Sequence, residues 1–242
     1  MFEHIFEQLG KQLAHLGEKR ILSLSVGDFS IRIDFWAMIM SWVVILLLVI
    51  LALLLRRGLR QRIEEKPNRV QAMMDTLINL LQRQLTSNFA SERLSRELFP
   101  FISTLFLFVL LCNWISVIPY CQSPTQDLNI TLSLAVLVFV LSQVFAVRLK
   151  GGRNYLKGFL EPYAFLLPLN IVGEVAKPIS HAFRLFGNIF GGAVLITVIT
   201  AKLIPIIVPA GLNIFFGLFF GAIQAFVFAI LAVAYINAAV ES

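Results

Sequence analysis

The sequence predicts an all-α polytopic membrane protein: about five membrane-embedded helices, one interfacial amphipathic helix, and a last pair of long helices tilted as a hairpin. Three observations carry this expectation. First, 58% of the 242 residues are hydrophobic and only 14% are charged, with a mean hydropathy of +0.84, a balance foreign to soluble domains of this length. Second, long charge-free runs recur. Third, half of the 20 Lys and Arg fall in two clusters, each directly behind an apolar run, as positive-inside anchors do. One is Arg56, Arg57, Arg60, Arg62, Lys66 and Arg69; the other is Arg148, Lys150, Arg153 and Lys157. The net charge of +6 therefore reads as topology, not as a nucleic-acid surface. Chain 1–242 reads as one membrane domain: an outer N-terminal segment (1–33), peripheral spans with the interfacial helix (34–163), and the helical hairpin (164–242).

Residues 1–33 are polar to amphipathic, broken into short pieces by Gly17 and Gly27, and carry no cleavable signal core. The run at 35–55 is free of charge and long enough to span a bilayer. The first basic cluster stops it and assigns that end to the cytoplasm, so the N-terminus lies outside. Behind Pro67, residues Val70, Met73, Met74, Leu77, Ile78, Leu81 and Leu85 repeat at helical spacing. That stripe predicts a helix lying on the cytoplasmic membrane face or covered by another protein. A second span covers 98–118 and ends at Pro119; the loop YCQSPTQDLN lacks Lys and Arg and belongs outside. The third span, 130–147, returns to the second basic cluster.

Two longer segments follow, 164–203 and 211–240. As unbroken helices they measure roughly 58 and 45 Å, against a hydrocarbon core of roughly 30 Å, so tilt, bending or breaks are expected. Pro178 is the expected kink in the first, and Pro205 and Pro209 the turn between the two. The two cysteines, Cys112 and Cys121, form neither a metal nor a disulfide pattern. No internal repeat is apparent, which weakens an inverted-repeat transporter.

Arg184 is the only formal charge between Lys177 and Lys202. A guanidinium in apolar sequence costs several kcal/mol unless water or a carboxylate answers it, which marks a functional site. Asn170, Glu174, Lys177, His181, Arg184 and Asn188 follow at steps of three and four, on one side of a helix. Glu174 is ten residues from Arg184, roughly 15 Å along the axis, too far for a direct bond. The partner carboxylate is therefore expected from elsewhere in the fold or from another subunit. Gly173, Gly187 and Gly191 border the stripe and allow close approach. Glu174 is a candidate for proton handling, Lys177 for snorkelling to headgroups, and His181 for lining a water path or for packing. In the final segment Asn213, Gly217, Gln224 and Tyr235 share a face, and Gly217, Gly221 and Ala225 form a small-xxx-small run. Gln224 is either an interhelical clamp or a hydrogen-bonding group near Arg184.

The block KPISHAFRLFGNIFGG, with IQAFVFAILAVAYI about forty residues after the Arg and NWISVIP closing the second span, resembles subunit a of F-type ATP synthases along the whole chain. The resemblance implies a stationary ion channel beside a rotating ring of c subunits, each with one intramembrane carboxylate. By that resemblance Arg184 is the stator arginine, which favours the ionised form of each arriving carboxylate and separates two aqueous half-channels. Asn188 and Gln224 match family positions beside it and would organise hydrogen bonds and water there. Glu174, Asn170 and Ser180 fall on the cytoplasmic side, in the inner half-channel; Asn113, Asn188 and Asn213 fall on the outer side, in the outer one. His181 completes the ion-translocation set.

The implied partners are the c-ring, the peripheral-stalk b subunits and membrane lipid, with no nucleic acid, no direct nucleotide binding, no cofactor and no metal. No phosphate-binding glycine loop is present, and the chain is expected to be non-catalytic on its own. The implied location is a bacterial inner membrane, with the C-terminus cytoplasmic. One departure stands out. Some members carry an acid nine positions after the arginine and a titratable residue seven before the glutamine; here those positions are Ala193 and Gly217. The outer path must then use water, Asn side chains or acids elsewhere. Two rival readings remain: a self-contained transporter or channel with Arg184 binding an anionic substrate, and a non-transporting scaffold.

Overall fold

The structure, a computed structural model, describes residues 21–26, 29–58, 72, 76, 78–79, 82–84, 92–118, 121–158, 163–200 and 207–241. Helices dominate, as expected. Among the described residues five are long and apolar enough to cross a membrane: Phe35–Leu54, Leu94–Val117, Leu128–Lys150, Leu167–Ile199 and Gly211–Val240.

The first described element is not helical. Strands β1 (Ile21–Val26) and β2 (Phe29–Asp34) pair antiparallel, from Ile21 opposite Asp34 to Val26 opposite Phe29. The sequence reading left this stretch as short pieces. Its apolar/polar alternation, LSLSV and FSIRID around Gly27-Asp28, is the period-two signal of a hairpin. Asp34 ends β2 and caps α1 (Phe35–Gly58), its Oδ1 accepting from the Trp36 N–H at 3.0 Å. Helix α1 is apolar on every face and mostly exposed, the pattern of a span that meets lipid.

Most of the predicted interfacial helix lies outside the described residues. Those described within it, 72, 76, 78–79 and 82–84, are helical and exposed. The second span is α2 (Glu92–Trp114), closed by a 3-10 turn at Ile115–Val117, and the third is α3 (Leu128–Lys150). Asp127 caps α3 by accepting from the Asn129 N–H at 2.8 Å. A short helix, α4 (Gly152–Gly158), follows.

The long segments keep their lengths but break where the prolines do not predict. Helix α5 (Leu167–Thr200) is continuous over 34 residues with Pro178 inside it. In the second segment, α6 (Ile207–Ile214) passes into a π-helical turn at Phe215–Phe220 and then into α7 (Gly221–Glu241). Pro209 does not mark the turn between the segments. It sits in the first turn of α6, where a missing N–H has no intrahelical acceptor to lose. Pro205 lies outside the described residues.

Cα packing divides the chain into two compact units: 1–42, 109–135 and 179–226 form one, and 43–108, 136–178 and 227–242 the other. In the first, Val109, Cys112, Ala182, Leu185, Ile189 and Ala225 are buried. In the second, Leu94, Leu98, Ile102 and Leu105 put one stripe of α2 inside, and Ala229, Ala232 and Ala239 are buried small residues of α7.

Candidate functional site

Arg184 projects from an exposed strip of α5 that also carries Ser180, Phe183, Gly187, Asn188 and Gly191. A Cβ added at Gly187 or Gly191 would meet nothing within 4 Å, so the strip is open along two turns beyond the arginine. Among the described residues Arg184 forms no ion pair; the one ion pair described is Lys177 with Glu174. An always-charged group exposed on a largely apolar helix, with no acid partner among the described residues, is a candidate anion site.

Asn188 leans to its neighbour. Its Nδ2 donates to Gln224 Oε1 at 2.5 Å, tying α5 to α7 one turn beyond Arg184. Gln224 is 5% exposed, and its Nε2 meets no acceptor among the described residues. Beside Asn188 opens a cavity of about 180 Å³, with Ser116, Gln122, Gln126, Thr197 and Asn213 among its polar walls and Ala193 and Gly217 among its small ones. Gln122, Gln126 and Ala193 also line a second cavity of about 90 Å³, whose walls include Asp34 and Asp127. Those two carboxylates in turn line a third, of about 420 Å³. Ala193 and Gly217 thus border a cavity that shares Gln122, Gln126 and Ala193 with the one walled by Asp34 and Asp127.

Gly217 has a steric reason as well. A Cβ there would overlap Val117 Cγ2, and one on Gly221 would come within 2.9 Å of the Asn113 Cβ. These approaches seat the end of α2 on the π-helical turn. Asn113 Nδ2 donates to the Gly221 carbonyl at 2.9 Å, Trp114 Nε1 to the Leu218 carbonyl at 3.2 Å, and Asn213 Nδ2 to the Ser116 carbonyl at 3.3 Å. A π-helical turn disturbs the regular ladder, and side-chain donors satisfy carbonyls beside it. Asn113 also accepts from Thr125 Oγ1 at 2.8 Å, and Thr125 Oγ1 bonds Ser123 Oγ at 2.6 Å. Both ends of the Asn113 amide are therefore committed inside the protein.

The second unit holds a cavity of about 350 Å³ lined by Gln143, Lys150, Asn154, Tyr155, Asn170, Glu174 and Lys177 together with small and apolar residues. Lys177 Nζ donates to Glu174 Oε1. Gln143 Nε2 donates to Glu174 Oε2 at 3.1 Å, and Tyr155 Oη donates to Gln143 Oε1. Partial burial and the negative charge of Glu174 push the Tyr155 phenol above its ordinary range, so it stays a donor.

The predicted stripe does not behave as one surface. Steps of three and four spread the six residues over an arc of roughly 80° at 3.6 residues per turn, and the packing boundary runs through it. His181 is 1% exposed and faces inward with Ala182 and Leu185, whereas Arg184 and Asn188 face outward. Asn170 and Glu174 share the cavity of the second unit; Asn188 and Asn213 share one in the first. Asn113, His181 and Ser180 line none of the described cavities. Lys177 pairs with Glu174. Sequence reasoning passed over Gln143, Tyr155, Gln122 and Gln126. A lone Gln in the apolar third span was the one available signal; nothing local singles out the others.

Comparison with known proteins agrees with the motifs. The family described as ATP synthase A chain matches residues 38–237. A protein of Crocosphaera subtropica, "ATP synthase subunit a 1", is 36% identical over 82% of this chain and 84% of its own length. The "ATP synthase subunit a 1" of Chlorobaculum parvum is 33% identical over 94% and 97%, and the "ATP synthase subunit a" of Moorella thermoacetica 33% identical over 81% and 86%. A match of this extent, on an integral multi-pass helical chain that bears the RLFGN and QAF blocks, places it: the chain belongs to the ATP synthase A chain family.

Proposed function

We propose that this chain is the ion-translocating subunit a of a rotary F-type ATP synthase, with Arg184 as the stator arginine beside a turning c-ring. The observation that carries the reading is an exposed guanidinium, without an acid partner among the described residues, on a glycine-lined strip of an apolar helix. An acid held by a passing ring helix would be ionised beside that cation and free to take up a proton once past it. Arg184 at the same time repels ions that would cross without riding the ring.

Two routes serve the exchange in this proposal. The inner one opens at the cavity of Asn170 and Glu174, with Ser180 between it and the arginine on α5. The outer one begins at Asn188 and Gln224, passes Asn213, and runs by way of Gln122 and Gln126 to Asp127 and Asp34. Asn113 serves the outer route indirectly, by fixing the π-helical turn on which Asn213 and Gln224 depend. His181 packs behind the arginine. The proposal includes b subunits as stalk partners, no catalysis by the chain alone, and a bacterial inner membrane with the N-terminus outside.

In inverted vesicles carrying the intact assembly, Arg184→Ala should abolish ATP-driven pumping while detached catalytic heads still hydrolyse ATP. Coupled pumping at the parent rate would reject the stator role. Ion flux through the purified chain alone, dependent on an added anion, would favour a self-contained transporter instead.

A further inference from the structure

The cavity around Glu174 contains a hydrogen-bond chain with a fixed direction. Tyr155 Oη donates to Gln143 Oε1, Gln143 Nε2 donates to Glu174 Oε2, and Lys177 Nζ donates to Glu174 Oε1. The amide orientation follows from its neighbours: turned over, Gln143 would set its oxygen against a carboxylate oxygen. Each carboxylate oxygen therefore meets a donor, which is the pattern an ionised carboxylate accepts. A carboxamide does not titrate in water, so this arm orients Glu174 and does not hand protons to it.

Local geometry explains how Tyr155 reaches Gln143, twelve residues earlier. Gly151, at φ +79°, ends α3 with its N–H on the Val147 carbonyl at 3.0 Å and starts α4 with its own carbonyl accepting from the Tyr155 N–H at 3.0 Å. The left-handed residue turns the chain back, so that α4 lays its tyrosine against α3. The side chains of Glu174 and Lys177 stay 23% and 30% exposed, open to the cavity while anchored behind.

We propose that Tyr155 and Gln143 are positioning residues that brace Glu174 as a stationary carboxylate in the wall of the inner cavity. The ion then passes a fixed charge instead of riding on a swinging acid. Lys177 is the second brace. This rests on the reading of that cavity as the inner ion route, and it assigns roles to two residues outside the stripe on α5.

The test uses the intact assembly in vesicles, with Tyr155→Phe, Gln143→Leu and Glu174→Gln. The infrared carboxylate stretch lost in Glu174→Gln identifies Glu174. That band should move in Tyr155→Phe, which keeps the ring and its packing, and move further in Gln143→Leu, because each donor in a chain polarises the next. Pumping should slow about fivefold in Tyr155→Phe, the rate equivalent of one neutral hydrogen bond. The double variant should be no slower than Gln143→Leu alone. A band unmoved in both single variants, or rate losses that multiply in the double, overturns the brace. Normal pumping by Arg184→Ala in the same vesicles would instead remove the stator reading, while the band shift still decides the hydrogen-bond chain.

Discussion

Gln224→Leu separates a clamp from a working group, because the structure predicts opposite effects on stability and on coupling. Gln224 is 5% exposed, accepts from Asn188 at 2.5 Å, and has an amide nitrogen without an acceptor among the described residues. Leucine has a similar volume, so packing is kept. Removing a buried donor that meets no acceptor among the described residues returns about 1–3 kcal/mol, and losing the Asn188 bond costs about 1 kcal/mol. Between membrane helices such bonds average nearer about 0.6 kcal/mol. The net is a chain as stable as the parent or up to about 2 kcal/mol more stable. Thermal unfolding of the chain within the detergent-solubilised assembly should give a midpoint at or above the parent's. ATP-driven pumping should nevertheless fall several-fold, because the polar group proposed to organise the exchange beside Arg184 is gone. A lowered midpoint with a matching loss of pumping would make Gln224 an interhelical clamp. Pumping at the parent rate would make it packing, and either result refutes the reasoning.

Two further expectations concern the seat of the π-helical turn. Asn113→Leu removes the side-chain bonds to the Gly221 carbonyl and from the Thr125 hydroxyl in a buried place, at a cost of about 1–3 kcal/mol. Folded chain recovered from membranes should drop sharply, and a normal yield would show that the knot is dispensable. Gly217→Ala drives a methyl into Val117 Cγ2, an overpacking worth about 1–3 kcal/mol. Its lowered thermal midpoint should recover in Gly217→Ala combined with Val117→Ala; no recovery would place the strain elsewhere.

The spans were legible because lipid demands long apolar helices, and the basic clusters behind two of them are local signals. Prolines were a poorer guide. Pro178 lies inside the continuous α5 and Pro209 in the first turn of α6, while the irregular turn falls at Phe215–Phe220, where no proline stands. That turn exists with partners from α2, a hundred residues earlier, that a window on FFGLFF does not contain. The β1–β2 hairpin was legible in its alternation but went unread beside the stronger helical signals.

What the sequence determined by itself is the membrane class, the family motifs and the singular position of Arg184, since each depends on residue type and spacing along one helix. Tertiary structure alone decided which side of the polar stripe faces out. It turned His181 inward and left Arg184 and Asn188 exposed, joined Asn188 to Gln224, and brought Tyr155 and Gln143 to Glu174. The physical reason is that helical periodicity fixes an arc, not a surface. Where the packing boundary cuts that arc depends on neighbours distant in the chain.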